Sequence, residues 1–335
     1  MIINKFKFID LFSGIGGFHQ ASKINGGECV FASEIDAQAS LAYEENYRIK
    51  PYGDITKIDA EDVPDHDLLC AGFPCQPFSI IGNKNGFDDI RGTLFFEIAK
   101  ILKKKKPPMI VLENVKQLAT HDKTRTLKKI IETLENLGYK TEWKILNALN
   151  YGLPQKRERI LIVGFLDHSV NFTWPEEIKK YKPLSKILES NVEDKHYASD
   201  RIYEKRQKKH SSPYSPGIWH ENKSGNISSY PYSCALRAGA SYNYLLVDGE
   251  RRLTPREMLR LQGFPDTFKI VCSDTQTRKQ AGNAVPVPMI TAVIKEVINA
   301  STKVTRQKEQ EKYGTVPDRR LSSDCNLQDQ SLACI

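Results

Sequence analysis

The chain has 335 residues, of which 40% are apolar and 27% are charged, and its formal net charge is +8. This composition is typical of a globular protein, and the length suffices for two domains. Because it lacks an apolar run of about 18 residues and an export signal at its start, the sequence predicts a cytoplasmic protein that contacts no membrane. The seven cysteines form no Cys-x-x-Cys pair, which argues against a disulfide framework or a metal site and indicates a reducing compartment.

Strand and helix patterns alternate over residues 6–165. The clearest helix is 124–137, where Leu127, Ile130 and Leu134 lie on one face and Gly138 ends the pattern. Alternating strands and helices predict an α/β protein with a mainly parallel sheet and helices on both faces. Short apolar runs predict strands over residues 6–10, 29–33, 68–71, 109–113, 140–147 and 159–165.

Three of these strands end in groups that are suited to chemistry. The first leads into a glycine-rich turn at 13–18, the third is followed by Pro74-Cys75-Gln76, and the fourth ends at Glu113. Because parallel strands present their carboxyl ends at one edge of a sheet, this pattern indicates an active site. Taken alone, Cys75 is equally well explained as a buried structural cysteine near a turn.

The glycine-rich turn also favours a nucleotide-type ligand. Gly14 and Gly16 let backbone N–H groups approach such a ligand closely, and Glu34, which follows the second strand, can accept ribose hydroxyls. Asp54 can hold an adenine amino group, although the alternative of an ordinary turn residue stays open.

The character of the chain changes near Leu166. Residues 166–250 are rich in Pro, Tyr and Ser and show little periodicity, which predicts a second, smaller and irregular domain, mostly β. Helical patterns return after Thr254, an N-cap followed by Pro255, and again over residues 288–300. The polar stretch 301–335 is expected to be disordered.

Two basic runs fit a polyanionic partner without establishing one. Residues 103–106 are four lysines that either end a helix or contact phosphate. Residues 201–209 are the better candidate for a DNA-facing surface, although a charge run is commonly a solvated face.

Eight ordered motifs resemble those of bacterial cytosine-5 DNA methyltransferases of the HhaI methylase type. The resemblance covers residues 6–165 and 251–300, and the segment between them matches no fixed pattern, as that family's variable target-recognition region implies. The motifs are FIDLFSGIGGF (8–18), GDI (53–55), GFPCQPFS (72–79), RGTLF (91–95), ENV (113–115), QKRERI (155–160), RLTPRE (252–257) and GNAVP (282–286).

The resemblance implies an enzyme that transfers methyl from S-adenosyl-L-methionine to carbon 5 of a flipped-out cytosine in a short duplex DNA sequence. It implies a Rossmann-like catalytic and cofactor-binding domain (1–165), a target-recognition domain (166–250) and C-terminal helices (251–300) that pack back on the first domain. It also implies a monomer in a bacterial cytoplasm, associated with the nucleoid through double-stranded DNA. A cognate restriction endonuclease would be its partner in function and not in a complex.

The resemblance also implies residue roles. Cys75 is the nucleophile at cytosine carbon 6, and Glu113 holds or protonates N3. Arg159 and Arg157 orient the base and Glu113, and the alternative for the two arginines is a surface salt-bridge pair. A loop over residues 76–93 closes on the base. The cofactor contacts carried over are Phe12, Gly14, Gly16, Glu34, Asp54, Pro74, Leu94 and Asn283.

Reading of the DNA is assigned to Ser79, Ser233 and Arg237. Many relatives have threonine where this chain has Ala235, so Ser233 is expected to supply the missing phosphate contact. Arg237 is expected to read a guanine edge, with a phosphate contact as the alternative. The alternative functions are a related enzyme acting on transfer RNA, a catalytically inert DNA-binding regulator, and a nicotinamide oxidoreductase.

Overall fold

The structure is a computed structural model that describes residues 5–74, 94–241 and 243–313. The strands are β1 Phe6–Leu11, β2 Gly27–Ser33, β3 Leu68–Gly72, β4 Met109–Val115, β5 Lys140–Asn147, β6 Gln155–Lys156, β7 Glu158–Phe165, β8 Ile218–Glu221, β9 Ile227–Tyr230, β10 Ser233–Cys234 and β11 Leu245–Val247. The helices are α1 Gly17–Ile24, α2 Ala37–Tyr47, α3 Leu94–Lys105, α4 Arg125–Asn136, α5 Asp200–Lys209, α6 Pro255–Gln262, α7 Asp274–Asn283 and α8 Val287–Tyr313.

A six-stranded sheet with the order β2-β1-β3-β4-β7-β5 forms the centre of the molecule. All six strands predicted from the apolar runs are present, and the α/β fold class is confirmed. Strands β1 to β4 are parallel, whereas β7 runs antiparallel to both of its neighbours. The strand order reverses direction between β1 and β3, and such a switch point opens a crevice at the carboxyl ends of the strands.

Helices cover both faces of this sheet. One face packs α3 and α4 against alternate strand residues such as Leu69, Ile110 and Ile162. The opposite face packs α1 and α8 against the other set, which includes Phe8 and Val111. Each fully buried aliphatic side chain contributes about 1.5–3 kcal/mol relative to its exposed state. Side chains alternate between the two faces of each strand, so each face of the sheet has its own buried set and its own layer of helices.

The region 166–250 builds a smaller unit with a three-stranded antiparallel sheet of order β11-β8-β9. It also contains α5, a ten-residue helix inside the region expected to be irregular and mostly β. Arg206 anchors this helix, because its guanidinium donates to Glu221 Oε2 over 2.7 Å. The other basic residues of the run, Lys205 and Lys208 among them, are exposed.

The C-terminal helices return to the large sheet. Thr254 and Glu257 form the capping box that starts α6, as the N-cap prediction requires. Helix α8 continues to Tyr313, so the expected disorder is wrong for residues 301–313, where helix-forming Lys, Arg, Gln and Glu dominate. Residues 314–335 lie outside the described part.

Within the described residues, one helical stretch, Asp274–Lys308, which takes in α7 and most of α8, is long and apolar enough to cross a membrane by length and composition. However, 61% of its most apolar window is buried inside the protein. Core helices of globular domains pass the same test, and α8 packs on α1 in this way.

Candidate active site

A cavity of about 440 Å³ lies at the carboxyl ends of β1 to β4. It brings together residues that are far apart in the sequence, including the end of α7. Seven of the eight expected cofactor contacts line it, as do the three described residues expected to be catalytic. These are Phe12, Gly14, Glu34, Asp54, Pro74, Leu94 and Asn283, with Glu113, Arg157 and Arg159.

The glycine-rich turn forms one wall of the cavity. Gly14 has a φ of +53°, and nothing lies within 4 Å of the place where a Cβ would be, so a ligand can approach the backbone there. The Gly14 N–H donates to Glu34 Oε2 over 2.8 Å, and the Asp36 N–H donates to Oε1 over 2.8 Å. Burial raises the pKa of Glu34. The two bonds fix the carboxylate while leaving lone pairs for ribose hydroxyls.

Gly16 is the expected cofactor contact that does not line this cavity. It is the N-cap of α1 with a φ of +81°, and an added Cβ would lie 2.2 Å from Tyr47 Cε2. The glycine therefore allows the ring of Tyr47 to pack against the turn.

Asp54 is the cap of a turn and also lines the cavity. Its Oδ1 accepts from the Thr56 backbone N–H over 3.0 Å and from the Thr56 hydroxyl over 2.8 Å, which makes it the cap of a short 3-10 turn. These hydrogen bonds lower the pKa of Asp54. Since both use Oδ1, the second oxygen is left to accept from a ligand in the cavity that Asp54 lines.

Glu113 and Arg159 form a nearly buried ion pair. Arg159 Nε lies 2.8 Å from Glu113 Oε1, and the two side chains are 13% and 10% exposed. The register of β4 with β7 pairs Val115 with Arg159, which places this pair at the strand ends. Burial raises the pKa of Glu113, and the nearby Arg159 and Arg157 oppose that rise without cancelling it. A carboxyl group with a raised pKa keeps its proton to a higher pH than an exposed carboxyl group does.

Asn114 is a positioning residue that the sequence reasoning missed. Its Nδ2 donates to the Phe73 carbonyl over 2.8 Å, and its Oδ1 accepts from the Val115 N–H over 2.8 Å. It thereby ties the end of β4 to the chain that leads through Pro74 towards Cys75. A buried amide beside Glu113 in an otherwise apolar strand was the available signal.

Arg157 is placed differently from its expected role beside the base. It is 1% exposed and donates to three backbone carbonyls, those of Leu236, Gly282 and Ala284. Burial lowers the pKa of Arg157 to about 9, so the guanidinium remains charged at neutral pH.

Two further charged residues at the cavity were not expected. Lys279 Nζ lies 2.6 Å from Asp36 Oδ2, and this pair joins α7 to the N-terminus of α2. Asn283 at the end of α7 reaches the cavity from the far end of the chain.

In the described part of the chain, no group of three or more His, Cys, Asp and Glu side chains is arranged for a metal ion.

The residues expected to read DNA are separated in the structure. Arg237 is exposed, and its guanidinium lies 4.9 Å from the centre of the Tyr244 ring, on the wall of a second cavity of about 240 Å³. Ser233 is 0% exposed, and its hydroxyl donates to the Cys234 carbonyl over 2.8 Å, so the structure does not bring it to a surface. Cys75, Ser79 and the loop 76–93 lie outside the described residues.

Both the sequence and the fold have known counterparts. A family model described as C-5 cytosine-specific DNA methylase matches residues 6–299. The type II methyltransferase M.NgoBI of Neisseria gonorrhoeae is 56% identical over 293 residues, which span 87% of this chain and 92% of that protein. The type II methyltransferase M.HhaI of Haemophilus parahaemolyticus is 39% identical over 302 residues, spanning 85% of this chain and 91% of that protein.

Among solved structures, the S. pombe Dnmt2 methyltransferase superposes with a TM-score of 0.68 at 21% identity. The superposition covers 88% of this chain and 98% of that chain. At this identity the likeness concerns the fold alone.

Proposed function

Because the chain belongs to the family of C-5 cytosine-specific DNA methylases, we propose a role for each residue around the cavity. The enzyme transfers a methyl group from S-adenosylmethionine to carbon 5 of cytosine in DNA. The observation that carries the residue assignment is the buried Glu113–Arg159 pair, which shares one cavity with the glycine-rich turn, Glu34 and Asp54.

The residues of the cavity fit the cofactor. The open space beside Gly14 suits the amino-acid portion of the cofactor. The fixed carboxylate of Glu34 suits the ribose hydroxyls, and the second oxygen of Asp54 suits the adenine amino group. Phe12, Leu94 and Asn283 complete the walls. When bound there, S-adenosylmethionine supplies the methyl group from a positively charged sulfur. Gly16 contributes indirectly, by shaping the turn.

Cys75 is the proposed nucleophile. Cytosine carbon 5 is a weak nucleophile, and addition of a thiolate to carbon 6 makes the ring an enamine that carbon 5 can use to accept a methyl group. Loss of the carbon-5 proton then expels the thiolate and restores the ring. The Asn114 bond to the Phe73 carbonyl fixes the chain two residues before Cys75, next to Glu113.

Glu113 is proposed to hold or donate a proton at cytosine N3. The thiolate adds electron density to the ring, and a proton at N3 disperses it. Arg159 holds the carboxyl group through its Nε atom, donates from Nη1 to the Glu158 carbonyl over 2.8 Å, and lines the cavity. Because Arg157 is occupied by three carbonyls, we assign it a positioning role and not contact with the base.

The remaining assignments concern DNA. Carbon 5 lies inside the duplex stack, so the target cytosine is expected to flip out. We assign residues 1–165 to catalysis, 166–250 to recognition of a short duplex sequence, and the helices after 250 to closing the cofactor cavity. A companion restriction endonuclease, a monomeric state and a cytoplasmic location at the nucleoid belong to the same proposal. The companion restriction endonuclease is supported by the names of the relatives, which are type II methyltransferases.

Duplex DNA with 5-fluorocytosine at the target tests the nucleophile. Fluorine blocks loss of the carbon-5 substituent, so the enzyme should be trapped as a slow band on a denaturing gel, only when S-adenosylmethionine is present. The cross-linked peptide should contain Cys75. Trapping through another residue, or no adduct with a duplex whose normal counterpart is methylated, contradicts the assignment.

Bisulfite sequencing of both DNA and RNA from cells that express the chain identifies the substrate and its sequence context. Modified cytosine confined to one short DNA motif is the expected result. Modified transfer RNA with unmodified DNA would support the alternative enzyme of the same family, and no modification in either would support an inert binding protein.

A further inference from the structure

Two buried side chains hold the main chain of Leu236 from both sides. The Leu236 N–H donates to Gln155 Oε1 over 3.0 Å, and the Leu236 carbonyl accepts from Arg157 Nη1 over 2.9 Å. Gln155 is 0% exposed and Arg157 is 1% exposed, so water does not compete for these bonds. Leu236 directly precedes Arg237, in the segment that runs from the recognition region towards the catalytic domain. We call Gln155 and Arg157 the clamp.

The clamp is also fixed at its other end. Gln155 Nε2 donates to the Leu261 carbonyl at the end of α6 over 2.8 Å. Arg157 Nη2 donates to the carbonyls of Gly282 and Ala284, over 2.9 and 2.8 Å, on either side of Asn283. The clamp therefore joins residues 233–240, which we call the recognition segment, to α6 and to the turn that carries Asn283, a residue that lines the cofactor cavity.

The joined segments are in direct backbone contact. A Cβ added to Gly282 would lie 2.4 Å from the Ala238 backbone nitrogen, so there is no room for the recognition segment to slide against this turn. In addition, β10 pairs with β6 in parallel register, with Ser233 opposite Gln155. Arg157 stands two residues before Arg159, which contacts Glu113. The position of the recognition segment is thus set relative to the proposed catalytic pair.

We propose that Gln155 and Arg157 are positioning residues that determine sequence specificity by fixing the register of the recognition segment, residues 233–240, against the Glu113–Arg159 pair. With the register fixed, only a duplex that makes the correct base contacts places its cytosine at Glu113. The inference rests on the proposed function in one respect, that residues 166–250 read the DNA. It does not require Arg237 to be the residue that reads the base.

Gln155→Met is the principal test, because methionine has similar length and removes the three side-chain hydrogen bonds of the glutamine, those with Leu236, Leu261 and Gln262. Single-turnover methylation is measured on the duplex identified by bisulfite sequencing and on each of its single-base variants. For the Gln155→Met enzyme, the clamp predicts that kcat/KM on the single-base variant duplexes, relative to kcat/KM on the true site, rises at least tenfold. S-adenosylmethionine affinity should stay within about threefold, since Gln155 does not line the cavity. Arg157→Lys keeps the charge but cannot reach three carbonyls, and it should both relax specificity and weaken cofactor binding.

Asn25→Ala is the matched control. Asn25 Nδ2 also bridges two elements, through the carbonyls of Ala21 in α1 and Thr291 in α8, but it is remote in sequence from the clamp. It should lower the melting temperature without changing relative kcat/KM. If Gln155→Met does not fold, Gln155→Glu replaces it. The glutamate keeps the acceptor for Leu236 and loses the donor to Leu261, so a smaller relaxation is expected.

Two results overturn the clamp. The first is a folded Gln155 variant whose rates fall evenly on all duplexes, with relative kcat/KM within twofold of wild type. The second is an equal relaxation in Asn25→Ala, which would make it a general effect of lost stability. Failure of the proposed function is distinguishable from both, because then the wild-type chain itself methylates no duplex.

Discussion

Replacing Glu113 with glutamine separates the charge of this side chain from its shape. Glutamine has nearly the same size and keeps an oxygen where Glu113 Oε1 lies 2.8 Å from Arg159 Nε. The substitution removes the negative charge and the ability to exchange a proton with cytosine N3. We therefore expect methyl transfer to slow greatly while the fold and the cofactor cavity are retained.

The structure sets the scale of both effects. At 2.8 Å the gross Coulomb attraction of the pair is about 6 kcal/mol with an effective dielectric constant of about 20. Most of this offsets the desolvation of two nearly buried charges. Because glutamine still accepts from Arg159, only the charge-assisted part of this hydrogen bond is lost, so the loss of folding stability should stay below about 1.5–3 kcal/mol, the value of a whole hydrogen bond to a charged group. Loss of a proton donor or charge-stabilising group should slow the reaction by about 10²–10³-fold, which corresponds to about 2.7–4 kcal/mol.

The pH dependence supplies a second signature. Burial raises the pKa of Glu113 above its ordinary value of 4.5, so the protonated form persists at higher pH than in water. The contribution of this group to stability is complete below 4.5 and is lost as pH rises through the raised pKa. The rate of any step that needs the protonated carboxyl should fall over the same window. Glu113→Gln should abolish both dependences.

Single-turnover transfer of tritiated methyl from S-adenosylmethionine, with cofactor affinity measured by calorimetry, is the assay. Glu158→Gln is the matched control, because Glu158 directly precedes Arg159 and is also a paired glutamate, with Lys116 Nζ 2.5 Å from its Oε2. Unlike Glu113, Glu158 does not line the cavity. It should keep its rate within about twofold of wild type. A near-normal single-turnover rate for Glu113→Gln would reduce Glu113 to a structural residue at the end of a strand.

Three further results are expected. Cys75→Ser should abolish tritium transfer and leave gel-shift affinity for duplex DNA intact, because a hydroxyl ionises far less readily than a thiol; measurable turnover would exclude Cys75 as nucleophile. Arg237→Ala should relax the preference for one base by about 1–3 kcal/mol, measured as methylation on a panel of single-base site variants. An even loss of methylation across the panel, with a shallower salt dependence of DNA binding, would indicate a phosphate contact instead. Gly16→Ala should destabilise the protein by roughly 1 kcal/mol or more in urea unfolding, because the alanine adds an unfavourable backbone conformation and its Cβ would lie 2.2 Å from Tyr47. Gly239→Ala is the control and should have little effect, because nothing lies within 4 Å of the added Cβ.

The sequence by itself determined the local structure and the chemistry at the strand ends. Short apolar runs depend only on neighbouring residues, and they located all six strands of the large sheet. Thr254 and Pro255 likewise marked the start of α6 correctly, because capping is a local interaction. The strand-end rule then placed Glu34 and Glu113 around one cavity, and the motif order indicated the family.

Tertiary structure alone decided how distant segments meet. Nothing local to Arg157 indicates that its partners are the carbonyls of Leu236, Gly282 and Ala284, which lie from 79 to 127 residues away. The burial of Ser233 follows from the pairing of β10 with β6, and the place of Gly16 follows from the ring of Tyr47. These outcomes depend on long-range packing, in which a buried polar group takes whatever partner the fold brings to it. Residue type and spacing identify which groups can react, whereas the fold decides which of them face the cavity and which hold it together.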